Sequence, residues 1–502
     1  MSTKEAVYPH YPEMGAPVAR QAGQCLVLAW SFLTLIVLAW LYVCVAGYST
    51  ALVQTLGAGY LIVIGLGIVI SICRASDAVV RPVNIFLLSC AFAVVFHAAT
   101  LSYVRSFGPE LLLIADTLIG LYLVAVLSAC RLLGSGSSAL VRPFRSADRN
   151  LTGSTYFWIA VLVFVLEYLE RLYSVGFSGH QLLTVMLSAK NIQDPAAGFA
   201  FRRGGGGGWE VFFMPVDSLF LGLTAFVDRA WKRGVSREKK LILIAVTLVQ
   251  FTTIALAGSK QPLLIAAALP LAIRAAQHDR SSGRWVMALL LASFLLAPVM
   301  DTMTQVRGVG WAAISDVEHV DWNLTQALGE DDLRWTVRFI AYLEGGSGVL
   351  AYKGPLGCIA GLRTVGWQWL INPIPRVLWP EKPEPWKRLE PGRPWYATES
   401  TVGDLLRYGG ISFVVVGGFL MGFWLSLLEP VYRMPKGDGA AIAYGYLLVA
   451  TAVMVRSTSP IGAVPPLLTC LIILGLWRLI DLFSSPVDTT FAMHRQEEAY
   501  TG

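Results

Sequence analysis

Residues 51–73 read ALVQTLGAGYLIVIGLGIVISIC, a stretch without a single charged side chain. The hydrocarbon core of a bilayer is roughly 30 Å thick, and an α-helix needs about 20 apolar residues to cross it. Within lipid, only a helix or a closed barrel satisfies its own backbone hydrogen bonds. The stretch therefore predicts a membrane-spanning helix.

The composition of the whole chain extends this prediction. Of the 502 residues, 55% are hydrophobic and only 14% are charged, and the mean hydropathy is +0.59. A soluble chain carries about 25% charged residues. Apolar blocks of spanning length begin near Cys25, Ala51, Val83, Leu111, Tyr156, Val211, Leu241, Pro262, Trp285, Ile411, Ala440 and Ile461. We expect an all-α, polytopic integral membrane protein with about 12 transmembrane helices.

The apolar blocks divide the chain into five parts. We predict an N-terminal tail at 1–24, nine helices with an outer Gly-rich loop at 174–210 within 25–304, a large loop at 305–410, three helices at 411–483, and a C-terminal tail at 484–502. No small-residue cleavage site follows a short apolar core, so we expect no removable signal peptide.

Basic residues between the blocks predict the orientation. Cytoplasmic loops of membrane proteins are rich in Lys and Arg. Two alternate loops hold Arg131, Arg142, Arg145, Arg149, Arg229, Lys232, Arg233, Arg237, Lys239 and Lys240. Both termini are therefore expected in the cytoplasm and the 305–410 loop on the outer side. The net charge of +6 reflects this topology, and we expect no nucleic-acid partner.

Five ionisable residues fall in the outer halves of predicted spans: His97, Asp116, Glu167, Asp217 and Asp301. Such residues are costly in lipid and usually face a bundle interior or water. They indicate either one wet cavity open to the outer side, or local pairs such as Glu167 with Arg171 one helical turn later.

The large loop is rich in tryptophan. Residues 305–410 hold half of the 16 Trp of the chain, at Trp311, Trp322, Trp335, Trp367, Trp369, Trp379, Trp386 and Trp395. Trp anchors proteins at membrane interfaces, and it also stacks on the apolar face of a sugar. Both interpretations stay open.

The most specific sequence motif is Asn372-Pro373-Ile374-Pro375-Arg376-Val377-Leu378-Trp379-Pro380-Glu381-Lys382-Pro383. Its four prolines stiffen the backbone around two cations, and stiff cations suit a phosphate. The alternative is a rigid exposed loop with solvated charges.

This motif resembles one found in the bacterial oligosaccharide-repeat-unit polymerases of the O-antigen polymerase (Wzy) type. The resemblance extends over roughly residues 240 to 425 through short motifs, which are Gly258-Ser259-Lys260, Arg307, Tyr352-Lys353-Gly354, Thr401-Val402-Gly403 and Tyr408-Gly409-Gly410. Lys260 departs from the Arg that is commoner in the family, and it loses the bidentate geometry toward phosphate.

The resemblance implies a GT-C-like membrane glycosyltransferase in the bacterial inner membrane. Such an enzyme moves a growing glycan from undecaprenyl diphosphate onto a lipid-linked repeat unit at the periplasmic face. The reaction needs cations for the departing diphosphate and a base for the acceptor hydroxyl. The implied partners are the undecaprenyl-diphosphate-linked oligosaccharide, membrane lipid and a chain-length regulator protein.

The site residues follow from these needs. Candidate catalytic residues are Arg376, Arg307, Glu344, Glu399 and Asp404, with His319 behind them as a base. Candidate ligands of the diphosphate or lipid carrier are Arg363, Lys382, Arg338, Arg203 and Lys260. Candidate sugar-binding residues are Trp367, Trp369, Trp379, Trp395 and Tyr352.

No cofactor is predicted for this chemistry. The sequence has no DxD motif, P-loop, CxxC or Cys/His cluster with metal-ligand spacing, so we expect neither a nucleotide-sugar donor, nor a required divalent ion, nor zinc.

Other functions stay open at this stage. An O-antigen ligase uses the same donor and has a similar large loop, and hydropathy does not separate it from a polymerase. A polyprenyl-phosphate-sugar transferase is disfavoured because the first outer loop, Gly47-Tyr48-Ser49-Thr50, lacks acidic residues. A transporter or lipid flippase is also compatible with many spans and buried ionisable residues.

Overall fold

A computed structural model describes residues 15–74, 78, 80–91, 108–133, 140–146, 151–187, 210–256, 260–277, 357–371, 379, 381, 400–434, 436–456 and 460–484. Regular structure in these ranges is entirely helical. The all-α prediction is confirmed for this part of the chain.

The described helices, numbered along the chain, are mostly long and apolar. They are α1 (Gly15–Ala46), α2 (Thr50–Arg74), α3 (Pro82–Cys90), α4 (Pro109–Leu132), α5 (Val141–Ser146), α6 (Gly153–Ser174), α7 (Gly179–Leu187), α8 (Glu210–Leu221), α9 (Leu223–Lys232), α10 (Arg237–Leu256), α11 (Lys260–Ala276), α12 (Gly357–Ile371), α13 (Thr401–Arg433), α14 (Asp438–Arg456) and α15 (Pro460–Ser484).

Six of the helices in the described ranges are long and apolar enough to cross a membrane. They lie at Gly23–Ala46, Thr50–Arg74, Pro109–Leu132, Thr401–Arg433, Asp438–Arg456 and Ala463–Ile480. This confirms a membrane protein with several spanning helices, whereas the count of twelve stays a prediction.

Among the other predicted spans, those near Tyr156 and Leu241 form the single helices α6 and α10, whereas those near Val211 and Pro262 do not form one long apolar helix. The block near Val211 is divided at Gly222 into α8 and α9. Residue 222 is glycine because the Tyr446 side chain occupies the space that a Cβ would need. The block near Pro262 forms α11, which has 17 residues and contains Pro270. The block near Trp285 lies outside the described residues.

A first hydrophobic core joins α1, α2, α3, α4 and α13. The α4–α13 contact is close because α13 presents glycine to α4. A Cβ added at Gly418 would stand 2.7 Å from Ala125 Cβ, and one added at Gly422 would stand 2.6 Å from Ala129 Cβ. Small residues four positions apart let two membrane helices approach without hydrophobic driving force from water.

A second core joins α6, α8, α9, α10, α11, α14 and α15. Glycines again permit the closest approaches: a Cβ at Gly439 would lie 2.5 Å from Trp477 Cδ1, and one at Gly445 would lie 2.8 Å from Leu269 Cδ1. Tyr446 donates to the Ser218 carbonyl at 3.0 Å. Helix α14 is therefore buried among its neighbours rather than exposed to lipid.

Charged side chains collect at one end of the bundle, which we call the basic end. Arg81 pairs with Glu429 at 2.8 Å, and Arg229 and Arg233 pair with Asp438 at 3.2 Å and 2.9 Å. The charge pattern predicts the cytoplasmic side for Arg229 and Arg233, and their contacts with Asp438 fit that prediction.

The Arg81–Glu429 pair closes the first core at the basic end. Burial alone would lower the pKa of the Arg81 guanidinium, but the Glu429 carboxylate outweighs burial and raises that pKa above its ordinary value. Arg433 also donates to Glu429, at 3.1 Å. The carboxylate therefore stays bound to charged partners.

Candidate functional site

Helix α13 begins at the opposite end of the bundle, and its first turn contains Asp404, a candidate base. The Ser400 hydroxyl accepts a hydrogen bond from Gly403 N at 3.3 Å and caps the helix. Thr401 donates to the Met454 carbonyl and ties this start to the end of α14. Asp404 lies in the first helical turn, where the helix dipole favours a negative charge.

Asp404 and Arg407 are both buried although both are ionisable. Asp404 is 3% exposed and Arg407 is 6% exposed. They stand three positions apart, which places them on one face of the helix. Arg407 is absent from the predicted site residues; its signal in the sequence is its position directly before the Tyr408-Gly409-Gly410 motif.

A backbone break separates this first segment of α13 from the rest. Gly410 has φ 72° and ψ −167° within the helix, a conformation that glycine adopts without a Cβ penalty. Residues 401–409 thus form a short capped helix that holds Asp404 and Arg407, and the membrane-crossing part follows.

Helix α12 packs beside α13 and brings two further candidates to this end. A Cβ at Gly361 would meet the Phe413 ring at 2.5 Å, so the two helices are in close contact. Arg363 is exposed, and Trp367, four residues later, is 52% exposed. The two side chains therefore share an outward face.

That outward face of α12 is mostly apolar. Ile359 is 61% exposed, Leu362 is 43% exposed and Leu370 is 70% exposed. Trp367 meets Trp379 edge to face, with ring centroids 6.5 Å apart, and Trp369 is half-buried. An exposed apolar stripe with one cation suits contact with a lipid that has an anionic head.

The remaining predicted site residues are not placed by the structure. Lys260 begins α11, and its side chain lies outside the description. The residues that lie wholly outside the described ranges are Arg203, Arg307, His319, Arg338, Glu344, Tyr352, Arg376, Lys382, Trp395 and Glu399.

The ionisable residues within spans do not all meet at one place. Arg171 Nε donates to Glu167 Oε1 at 2.7 Å, so the expected local pair is confirmed. Glu167 and Asp217 approach each other between α6 and α8. Asp116 lies on α4, whose buried neighbours belong to the first core, so the single cavity is not formed by these three. His97 and Asp301 lie outside the described residues.

Comparison of the chain with protein-family models, with curated proteins and with solved structures returned no match.

Proposed function

We propose that the chain is a membrane glycosyltransferase that polymerises lipid-linked repeat units at the periplasmic face of the bacterial inner membrane. The observation that favours this function is the buried Asp404 in the first turn of α13, a helix that Ser400 caps. The neighbouring helix α12 carries the exposed Arg363 and Trp367. A base, a cation and an aromatic face are what such a transfer requires.

The reaction would be a nucleophilic displacement at the anomeric carbon of the donor sugar. A carboxylate takes the proton of the acceptor hydroxyl, the hydroxyl oxygen forms a bond to the anomeric carbon, and the bond from that carbon to the undecaprenyl diphosphate breaks. Asp404 is our choice of base because it is the candidate carboxylate that the described helices hold in a fixed position. Cations then stabilise the leaving diphosphate.

Arg363 is our choice for the lipid-carrier contact. Its guanidinium is exposed on the apolar face of α12, where an isoprenoid tail can lie along Leu362 and Leu370 while the diphosphate meets the cation. Arg376, Arg307 and Lys382 complete the cation set in this proposal. A guanidinium grips two phosphate oxygens at once, which an ammonium does not do.

The test uses the full chain in detergent with a synthetic undecaprenyl-diphosphate-linked repeat unit as the only substrate. We expect products lengthened by whole repeats without nucleotide sugar or added metal. Asp404→Asn should abolish lengthening, and Glu238→Gln, which removes an exposed carboxylate at the basic end, should retain it. No lengthening by the wild-type chain would refute the proposal.

The same assay separates the rival functions. Transfer of the glycan to a lipid A-core acceptor, with no lengthening of repeats, would identify a ligase. Movement of the labelled lipid across a vesicle membrane without any new glycosidic bond would identify a transporter. A chain-length regulator, the further partner in this proposal, should narrow the distribution of product lengths when it is added.

A further inference from the structure

A second group of ionisable residues lies at the end of the bundle opposite the basic end, between α6 and α8. Glu167, Glu170 and Asp217 each offer a carboxylate oxygen, and these oxygens all lie within 4.8 Å of one another. Like charges this close are costly unless a proton or a cation joins them. Arg171 neutralises one of the three through its ion pair with Glu167.

The Glu167 carboxylate has one oxygen that needs a partner. The Glu167 side chain is 1% exposed, and its Oε1 accepts from Arg171. Its other oxygen, Oε2, is buried and has no hydrogen-bond partner among the described residues. A buried carboxylate oxygen without a donor has lost its hydration with no replacement, so something should bind it.

We propose that the three carboxylates bind a divalent cation of the calcium type. Calcium takes oxygen ligands at about 2.3–2.6 Å, so two of its ligands can stand up to about 5 Å apart, whereas Mg²⁺ at about 2.0–2.1 Å needs oxygens within about 4.2 Å. The carboxylate oxygens lie within 4.8 Å of one another, which is inside the span of a calcium coordination shell.

The surroundings permit a cation to reach the group. Asp217 is exposed and Glu170 is half-buried, while Glu167 is deepest, so the ligands are graded from solvent to interior. Tyr168 and Thr253 bond to each other beside them and join α6 to α10. A bound cation therefore links α6 to α8 near the point where α6 meets α10.

This site is separate from the proposed catalytic residues. Its helices belong to the second core, whereas α12 and the start of α13 pack on the first core. The inference consequently does not rest on the proposed function, and a failure of either leaves the other standing.

The experiment measures Ca²⁺ and Mg²⁺ binding to chelator-stripped, full-length protein in detergent by equilibrium dialysis. We expect Ca²⁺ to bind more tightly than Mg²⁺. Asp217→Asn and Glu170→Gln should each weaken Ca²⁺ binding at least roughly 10-fold, because loss of even an outer-shell partner of a metal ligand costs about 10- to 100-fold. Glu167 is left unchanged because its loss would strip Arg171 of a partner.

Glu110→Gln is the matched control, since it removes an exposed carboxylate at the same end of the bundle, at the start of α4. Its Ca²⁺ affinity should equal that of the wild type. The proposal is overturned if the wild type binds no Ca²⁺, or if Asp217→Asn and Glu170→Gln bind it as tightly as Glu110→Gln. Because Asp217 is exposed, its variant tests binding even if Glu170→Gln fails to fold.

Discussion

Asp438 holds three side chains from two other parts of the chain. Its carboxylate is 1% exposed and accepts hydrogen bonds from Arg229 at 3.2 Å, from Arg233 at 3.0 Å and from Gln277 at 2.9 Å. Arg229 is itself 2% exposed. Such a buried charge depends on its partner, because removal of one member leaves the other without compensation.

We therefore expect Asp438→Asn to lower the free energy of unfolding by about 3–5 kcal/mol. The measurement is denaturant unfolding of the purified protein in detergent. Glu238→Gln, an exposed carboxylate at the basic end, is the control and should change little. Equal stability of the two variants would show that Asp438 contributes no more than a surface charge.

Arg376 is a prediction from sequence, with Pro375 directly before it and Pro380 after it. Proline restricts the backbone and lowers the ordering cost of the cation. Replacement by Ala should reduce turnover per folded molecule by a factor of roughly 10² to 10³, the usual loss of one preorganised donor. Arg376→Lys should recover little, because it keeps the charge but not the guanidinium fork.

Activity normalised to folded protein distinguishes this role from a structural one. If Arg376→Ala loses thermal stability and activity in parallel, the side chain is structural. If its specific activity is near normal, Arg307 and Arg363 are the cations to examine next.

Residues close in sequence were easier to predict than residues joined by folding. The Glu167–Arg171 pair follows from its spacing of one helical turn. The Arg229–Asp438 pair spans 209 positions, and no local pattern indicates which distant carboxylate a cation will meet. Arg407 was missed for the same reason: its burial results from packing, not from its neighbours in the chain.

At the scale of helices, the contact between α4 and α13 depends on absent side chains. Gly422→Ala should destabilise the protein by about 1–3 kcal/mol, as overpacking does elsewhere, because the new Cβ would meet Ala129 and the Val126 carbonyl. Gly65→Ala is the matched control, since nothing lies within 4 Å of its added Cβ.

The two glycine variants should have different effects on the melting temperature. Alanine is favoured over glycine in a helix by about 1 kcal/mol, so Gly65→Ala should hold or raise the melting temperature while Gly422→Ala lowers it. Thermal unfolding in one detergent measures both. An unchanged melting temperature for Gly422→Ala would mean that α4 and α13 separate readily.

Apolar blocks predicted where many helices begin, but not where they break. The blocks near Ala51, Leu111 and Ala440 correspond to α2, α4 and α14. The apolar block near Val211 gives no sign of the break at Gly222, where Tyr446, from a helix far along the chain, leaves no room for a side chain. The start of α13 at Thr401 precedes the apolar block at Ile411 because Ser400 caps it and Gly410 interrupts it.

For the whole molecule, the charge pattern predicts which loops share a side of the membrane. Single cysteines in a cysteine-free background at Ser138, Arg233 and Gly437 should resist an impermeant maleimide in intact cells. Cysteines at Gly204 and Arg388 should react with it. Reaction at both Arg233 and Arg388 would put the two loops on the same side and overturn the predicted alternation. Reaction at Arg233 alone would reverse the orientation and place the proposed site in the cytoplasm.

The two cores of the molecule were not separable in the sequence. Hydropathy reports that a helix enters lipid, but lipid is as apolar as a neighbouring helix, so it gives no indication of partners. Glycine spacing on α13 and α14 is what selects α4, α11 and α15 as neighbours. The sequence alone could not show that the predicted site residues on α12 and α13 lie on neighbouring helices, because helix packing determines that proximity.

The Arg229–Asp438 pair also sets a waiting time during synthesis. A ribosome adds about 5–20 residues per second, so the aspartate emerges on the order of 10–40 s after the arginine. Until then Arg229 has its neighbour Asp228, 3.3 Å away in the finished protein. A nascent chain that stops before residue 438 therefore retains an arginine without its later partner, and we expect quality-control proteases to recognise such truncated chains.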